Sequence, residues 1–571
     1  MNTDFICISQ DKVAEASGHF PVGQQWLSYR GETSFWEDEQ GVLLLFGYVH
    51  NQDFNSAPAY WLGLLQFGGD EQLQAAINML DGAYSLLLLN KNTGQCCMIT
   101  DRLGCHRLYY YQSANAIWFS TDLMFIAAKT RQRHFDRHAL METLHFRWLT
   151  GQHSLIEGVE KLPHAAVVKL QAGKPPVVER RFGLLPARNT PASKTLLAHA
   201  DAVQQLLCTN IANSVKQTDR VAVLLSGGVD SSVLLGICCQ LKLNVVAVTP
   251  VHDNHSNPEL ETAKQFAREL GVEHRIVPIK DDMLEPLFRD TVHCLAGAPR
   301  SHSAVSLLYI MRQLAGEFDK VLYGEGADTL FGSRAVKHFT RRHQKHLKLR
   351  RLMGVLPGSE LIMRRLPSGS RLKMLADFNV QQDTISSIKL TLQSATEMVL
   401  ADDLQLDSSA VLQQLNTDSA VSACFDAAVR YVKQAVFSSD VVNHFFEMSR
   451  LADLYNLQLV NPFVCWPVMH YASQLPNEYY FGGDFVKPVL RKIGEQFYTP
   501  KLMYLPKFGF PVPHKHWLDT SLNSLCQQAV QFFNVPDAWT EDTEVIWTLT
   551  GLYLLALQAD VAPCRLTKGA S

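Results

Sequence analysis

The chain has 571 residues, 47% of them hydrophobic and 19% charged, which is longer than one hydrophobic core ordinarily serves and implies two or three domains. That balance fits a globular enzyme and leaves little room for long disorder. A formal net charge of -3 excludes a global electrostatic footprint for nucleic acid or an anionic membrane.

At the start, Met1-Asn2-Thr3-Asp4-Phe5 shows no basic stretch leading into an apolar run. No segment approaches the roughly 18 uninterrupted apolar residues of a spanning helix, so a cytoplasmic location is expected. The 12 cysteines include the neighbours Cys96-Cys97 and Cys238-Cys239 but no CxxC pair. They read as buried small hydrophobes rather than disulfides or zinc ligands.

From about residue 5 to 180, short apolar runs such as Val42 to Gly47, Tyr84 to Leu89, Cys97 to Thr100 and Ala116 to Ser120 predict strands separated by turns. This part is expected to be mainly β. Leu184 to Ser193 has the Pro and small polar content of a linker, which divides the chain into residues 1–185 and 195–571. Beyond it the pattern alternates: a strand Val221 to Leu225, a Gly-rich turn, a helix Asp230 to Lys242, a strand Asn244 to Val251, a helix Glu259 to Leu270 and a strand His274 to Ile279. Such alternation predicts βαβ units and a doubly wound parallel sheet covered on both faces. Helical periodicity dominates from about 334 to 450, with no repeat or low-complexity segment.

The turn Leu225-Ser226-Gly227-Gly228-Val229-Asp230-Ser231-Ser232 carries the chemistry. Closely spaced backbone N–H groups and a helix N-terminus together bind phosphate. Gly227 and Gly228 let the chain approach an anion without a Cβ in the way. The hydroxyls of Ser226, Ser231 and Ser232 add donors, and Asp230 is suited to a magnesium ion on the phosphates. A Walker ending in Gly-Lys-Ser is absent, which favours cleavage between the α and β phosphates over γ-phosphoryl transfer.

This loop resembles that of the N-type ATP pyrophosphatases. Downstream, Leu322-Tyr323-Gly324-Glu325-Gly326-Ala327-Asp328-Thr329-Leu330-Phe331-Gly332, Lys487-Pro488-Val489-Leu490-Arg491 and Pro506-Lys507-Phe508-Gly509-Phe510 resemble asparagine synthetase motifs, in the family's order. Leu80 to Tyr84 and Asp101 to Tyr110 resemble the family's glutaminase domain. The resemblance implies an N-terminal Ntn-type αββα sandwich followed by an α/β ATP-pyrophosphatase domain with a helical C-terminal part. It also implies ATP and magnesium as cofactors, with Asp230 and Asp328 as metal ligands. Leu225, Val248, Tyr323 and Gly324 would frame the nucleotide, largely through backbone. Lys507 would face the α-phosphate and carboxylate, where a cation stabilises developing charge. Glu325 would deprotonate or orient the incoming amine; β-lactam synthetases, which resemble this family, usually carry tyrosine there. Outside their motifs, such residues would read as turn carboxylates and a surface lysine.

The first domain departs from the pattern. Glutamine-hydrolysing members use cysteine as residue 2, where this chain has Asn2, and Cys7 could replace it only after loss of six residues. Phe46-Gly47-Tyr48 stands where the family has Asn-Gly-Glu for glutamine's polar groups, and the Arg-Leu motif before it is missing. A site built for buried hydrogen bonds does not survive an aromatic there. Without glutaminase activity, the nitrogen must come from ammonia, from a second substrate or from the same substrate. Lasso-peptide macrolactam synthetases and β-lactam synthetases, which also pair a degenerate first domain with an intact synthetase domain, imply the last; Glu325 weighs against a β-lactam. Asn456 to Cys465 replaces a charged family segment that lines the site, which argues against aspartate as substrate or reflects structural drift.

The expected substrate is thus a small molecule or peptide bearing both carboxylate and amine. The basic stretch Lys337 to Arg351 reads as a solvated helix face or as a dock for an acidic peptide, leader-binding partner or carrier protein; a peptidase could also act alongside. No nucleic-acid or membrane partner is expected. The rivals are an ammonia-dependent asparagine synthetase and a non-catalytic scaffold.

Overall fold

The computed structural model describes residues 5–561 apart from 356–428 and shorter stretches at 23–24, 32, 52, 150, 172–173, 184–193, 254, 256, 430–432, 434–435, 438–440, 482–484, 506–511 and 536. The linker assigned to Leu184 to Ser193 lies outside the described residues, as does most of the helical stretch beyond residue 355.

The described residues of the first part form twelve strands: β1 (Phe5–Ser9), β2 (Gly18–Val22), β3 (Gln25–Arg30), β4 (Thr33–Glu37), β5 (Gly41–Val49), β6 (Gly82–Asn90), β7 (Cys96–Thr100), β8 (Tyr109–Gln112), β9 (Ala116–Ser120), β10 (Glu160–Lys161), β11 (Ala166–Leu170) and β12 (Val177–Arg181). They form two antiparallel sheets, ordered β10-β8-β9-β1-β3-β2 and β12-β11-β7-β6-β5-β4. Alternate residues of β5 explain the pairing of layers. Val42, Leu44 and Phe46 face Ile6, Ile8, Ile117 and Phe119 of the other sheet. Leu43 and Leu45 face outward onto α1 (Pro58–Gln66) and α2 (Asp70–Asn78) through Trp61, Leu62, Leu73 and Ile77. A strand buried on both faces reads as a continuous apolar run, as β5 and β6 do. α3 (Leu123–Thr130) and α4 (Arg137–Phe146) cover the first sheet's outer face, which completes the αββα sandwich.

The second part opens with α5 (Leu196–Ser214) and builds a parallel sheet from β13 (Arg220–Leu224), β14 (Asn244–His252), β15 (His274–Ile279), β16 (Lys320–Leu322) and β17 (Gln458–Val460), ordered β15-β14-β13-β16-β17. Its crossovers run through α6 (Val229–Gln240), α7 (Leu260–Leu270), α8 (Leu284–Leu295) and α9 (Ser303–Leu314). The two predicted helices start a residue away from their expected positions, at Val229 and Leu260. The strand order reverses between β13 and β16, so a crevice opens beyond their C-terminal ends, the place where doubly wound sheets bind ligands. Further helices follow: α10 (Ala327–Phe331), α11 (Arg334–Val355), α12 (Val442–Asp453), α13 (Trp466–Ser473), α14 (Pro488–Gly494), α15 (Asn523–Phe533) and α16 (Thr543–Ala559). Among the described residues, no helix is long and apolar enough to cross a membrane.

Candidate functional site

The loop after β13 forms one wall of the crevice. Gly227 has φ +84°, and a Cβ there would meet the Glu259 carbonyl oxygen at 2.5 Å, so only glycine fits the turn. Gly228 is the N-cap of α6, with no side-chain cap of its own, which leaves the helix N-terminus to an anionic ligand. Serine hydroxyls brace the loop: the Ser226 N–H donates to Ser231 Oγ at 3.2 Å, and the Gly228 N–H donates to Ser226 Oγ at 3.2 Å. Leu225 is held to β14 by its N–H on the Val248 carbonyl at 2.9 Å.

Ser232 departs from the expectation of a phosphate donor. Its hydroxyl donates to the Val229 carbonyl at 2.9 Å, and the side chain is fully buried. It sits on the core-facing side of α6, as does Val229, which packs into the hydrophobic core.

The second wall is the turn after β16. Tyr323 is fixed by its N–H on the Val460 carbonyl at 3.0 Å. Gly324 packs over Asp230, where a Cβ would meet the Asp230 Cβ at 3.4 Å. Gly326 has φ +84° and lies against Val464, whose Cγ1 would be 2.5 Å from an added Cβ. Between them Glu325 stands half-buried.

Lys487 joins the two walls. Its Nζ is 2.5 Å from Asp230 Oδ2 and 2.7 Å from Asp328 Oδ1, and the residue is 2% exposed. It occupies the left-handed N-cap of α14, with Pro488 in the first turn. The rest of its motif holds it there: Arg491, also buried, donates to the carbonyls of Val486 and Met503. Asp230 and Asp328 thus converge on one point, as carboxylate donors for a hard cation must, and an ammonium already lies between them. Carboxylates are the donor type a magnesium ion takes. Lys507, expected to be the cation of the site, lies outside the described residues.

A cavity of about 230 Å³ lies between the walls. Of the residues singled out from sequence, Leu225, Ser226, Asp230, Ser231, Val248, Tyr323, Gly324, Glu325 and Asp328 line it. Leu224, Pro250, Leu307 and Ile310 add an apolar flank, and Glu259 and Ser303 add polar groups that sequence reasoning missed. His444 of α12 was missed as well. Its Nε2 is 2.7 Å from the Tyr323 hydroxyl and 3.9 Å from Glu325 Oε2, and the side chain is buried. On the same helix, buried Glu447 accepts the N–H groups of Arg300 and Ser301 at 2.5 and 3.2 Å, with its acidity weakened by burial. These contacts fix the segment that leads into α9.

In the first domain, Asn2 lies outside the described residues. Cys7 is fully buried in β1, and burial pushes its thiol up to about 11, which keeps it protonated and unreactive. The ten described cysteines are all free thiols, and most are buried. Tyr48 reaches across to the second domain, where its hydroxyl accepts the Leu459 N–H at 3.0 Å. The segment Asn456 to Cys465, expected beside the substrate, forms β17 and a short 3-10 turn, Pro462–Val464, packed beneath Gly326. The basic stretch lies in α11, but Lys337, His343 and His346 are buried, so it is only in part a solvated face.

Residues 202–547 match the Asparagine synthase family, and residues 66–182 match a Glutamine amidotransferase domain. The chain is 21% identical over 517 residues to glutamine-hydrolyzing asparagine synthetase 1 of Bacillus subtilis (strain 168), covering 89% of this chain and 78% of that one. It is 23% identical over 500 residues to a protein provisionally named glutamine-hydrolyzing asparagine synthetase in Mycobacterium tuberculosis (strain ATCC 25618 / H37Rv), covering 85% and 72%. Among solved structures, the NH3-dependent NAD synthetase from Campylobacter jejuni overlaps 39% of this chain and 93% of its own, at 17% identity and a TM-score of 0.20. The chain belongs to the asparagine synthase family and is an ATP-dependent carbon–nitrogen ligase.

Proposed function

We propose that this ligase adenylates a substrate carboxylate and passes the acyl group to an amine carried by the same substrate, giving a peptide macrolactam or another specialised amide. The reading rests on the contrast between its two sites. Around the cavity, Ser226, Asp230, Ser231, Glu325 and Asp328 converge with Lys487; in the first domain, Cys7 is sealed in the core and the Tyr48 hydroxyl is engaged by Leu459.

In this reading the α6 N-terminus and the loop N–H groups hold the ATP phosphates, and the apolar flank takes the adenine. Asp230 and Asp328 would hold magnesium, which neutralises phosphate charge when bound. A carboxylate oxygen attacks the α-phosphorus, and the bond to the bridging oxygen breaks as pyrophosphate departs with the electron pair. Lys487, buried beside the Asp230 and Asp328 carboxylates, supplies a cation on this side of the crevice, with Lys507 as a candidate second one. The amine nitrogen then attacks the acyl carbon. Glu325 accepts its proton, and AMP leaves carrying one oxygen of the original carboxylate. A cytoplasmic setting, with a leader-binding protein, peptidase or carrier protein alongside, belongs to the same reading.

A second reading has a specific observation in its favour: the relatives are named asparagine synthetases, so the acceptor would be free ammonia and the substrate aspartate. The two are separated with ¹⁸O-labelled carboxylates. Candidate precursor peptides bearing a free amine should yield ¹⁸O in AMP and a product lighter by one water, while aspartate with ammonium yields no AMP. Formation of asparagine with AMP would establish the second reading instead.

A further inference from the structure

Among the described residues, β17 is the outer strand of the parallel sheet and pairs only with β16. The Gln458 N–H and the Val460 carbonyl bond toward β16 and its flanks, to the Asp319 carbonyl at 3.2 Å and the Tyr323 N–H at 3.0 Å. In a strand, successive residues turn their backbone groups to opposite sides, so the N–H and carbonyl of Leu459 face away from the sheet. Leu459 is 3% exposed, and a buried backbone pair at an open edge is costly if left unbonded. Both groups are satisfied by the first domain. The Tyr48 hydroxyl accepts the Leu459 N–H at 3.0 Å. His50 Nε2 lies 3.0 Å from the Leu459 carbonyl, and because a carbonyl only accepts, that nitrogen carries the proton. The two rings lie beside each other with centroids 5.0 Å apart.

The strand so held carries the catalytic turn. Val460 bonds Tyr323, whose hydroxyl meets His444 beside Glu325, and Val464, four residues further on, packs on Gly326. We infer that Tyr48 and His50 act as positioning residues for the synthetase site, and that the first domain is kept because it supplies the missing edge partner of β17 and thereby fixes the turn from Tyr323 to Gly326. Tyr48, read from sequence only as the loss of a glutamine ligand, has gained a partner in the other domain. Its role does not depend on which carboxylate or amine the enzyme uses.

The test uses the full chain and α,β-methylene ATP with magnesium as the probe. Tyr48→Phe removes one hydroxyl and keeps the ring, and His50→Ala removes the other bond. Each is expected to weaken binding of the analogue several-fold, and the double variant by more. Amide hydrogen exchange should accelerate at residues 458–460 and 323–326, with strands β6 and β7 unchanged. A merely local packing role would loosen β5 and its neighbours without reaching residues 323–326. If both variants keep wild-type affinity and exchange in that turn, the inference is overturned. If the wild-type chain itself fails to bind the analogue, the ATP reading falls instead, so the two failures are distinct. Should His50→Ala not fold, Tyr48→Phe alone decides the matter.

Discussion

Lys487 ends between two carboxylates because the backbone before Pro488 turns left-handed and directs its side chain into the crevice. Removing a partner from a buried pair leaves uncompensated charge at a cost on the order of 3–5 kcal/mol, at the lower end here because the Asp328 side chain is 48% exposed. Lys487→Met should therefore lose both stability and adenylation, the latter by about 100-fold or more. Lys487→Arg should recover part of the stability and little of the rate. Substrate-dependent pyrophosphate release measured beside thermal melting distinguishes these. Glu325 predicts a different split. Glu325→Gln should still release pyrophosphate but form amide about 100-fold more slowly or worse, and equal loss of both steps would remove it as the amine's proton acceptor. The two adjacent serines also part company. Ser231→Ala should weaken ATP binding because its hydroxyl braces the loop, whereas Ser232→Ala should leave ATP affinity within about twofold, since its hydroxyl is turned into the helix.

At the scale of the element, what was legible in the sequence followed from periodicity and motif. The strands β5, β6 and β9 and the alternation from β13 to β15 were readable because apolar runs of that length leave few alternatives. The phosphate loop and the Tyr323 to Asp328 turn were readable because glycine spacing dictates backbone shape. Two contacts were not. His444 lies in the first turn of α12, more than a hundred residues from Glu325, and meets it only through tertiary packing, so no local pattern marks it. Tyr48 could be read as a departure from glutamine binding but not as a contact with β17, which depends on how the two domains dock. Its neighbour His50 gives a pH-dependent prediction. Burial holds its pKa down to about 4, with Lys320 acting in the same direction and the Leu459 carbonyl and Asp219 opposing it. Unfolded, the ring titrates near 6.5, so its contribution to stability is complete above that pH. It is lost as pH falls toward 4, by up to about 1.4 kcal/mol per pH unit. Asp81, lining the same interdomain cleft and raised by burial to about 6, contributes the opposite slope. The comparison must therefore be between His50→Gln and wild type in urea melts from pH 7 to pH 4.5. The variant should show the shallower acid decline, and parallel curves would remove His50 from the account.

For the whole molecule, each part keeps apolar clusters of its own, such as the one between the two antiparallel sheets, but two further clusters run across the boundary suggested by the motifs. Ala83, Leu103, Cys105 and Ala165 of the first part lie in one apolar cluster with α5, α6 and α14 of the second. Leu123, Ile126 and Leu140 of α3 and α4 lie in another with Phe288 of α8 and Trp547 of α16. A polar tie sits beside the second cluster. Arg147, at the end of α4, bonds Glu544 at the start of α16, and its guanidinium is 3.1 Å from His302 Nε2. His302 stacks on His514 with centroids 3.8 Å apart and planes within 4°. Among the described residues these two histidines and Glu544 have donor atoms close enough for a metal ion. Stacked rings, however, hold their nitrogen lone pairs in two parallel planes that no single ion can lie in at once, and Arg147 already provides the cation, so the cluster acts as an interdomain tie. Docked domains joined by a polar, modest interface melt separately as a rule, whereas a shared apolar core makes unfolding of one part expose the other. Calorimetry of the full chain should therefore show one transition whose calorimetric and van't Hoff enthalpies agree, and residues 195–571 expressed alone should be poorly soluble. Arg147→Ala, which removes the tie but leaves both apolar clusters intact, should lower that single transition without dividing it. Two resolved transitions in the unmodified chain, or a stable isolated 195–571 fragment that binds α,β-methylene ATP as well as the whole, would show that the first part is dispensable to the synthetase fold, and its retention would then need a cause other than the shared core and the edge of β17.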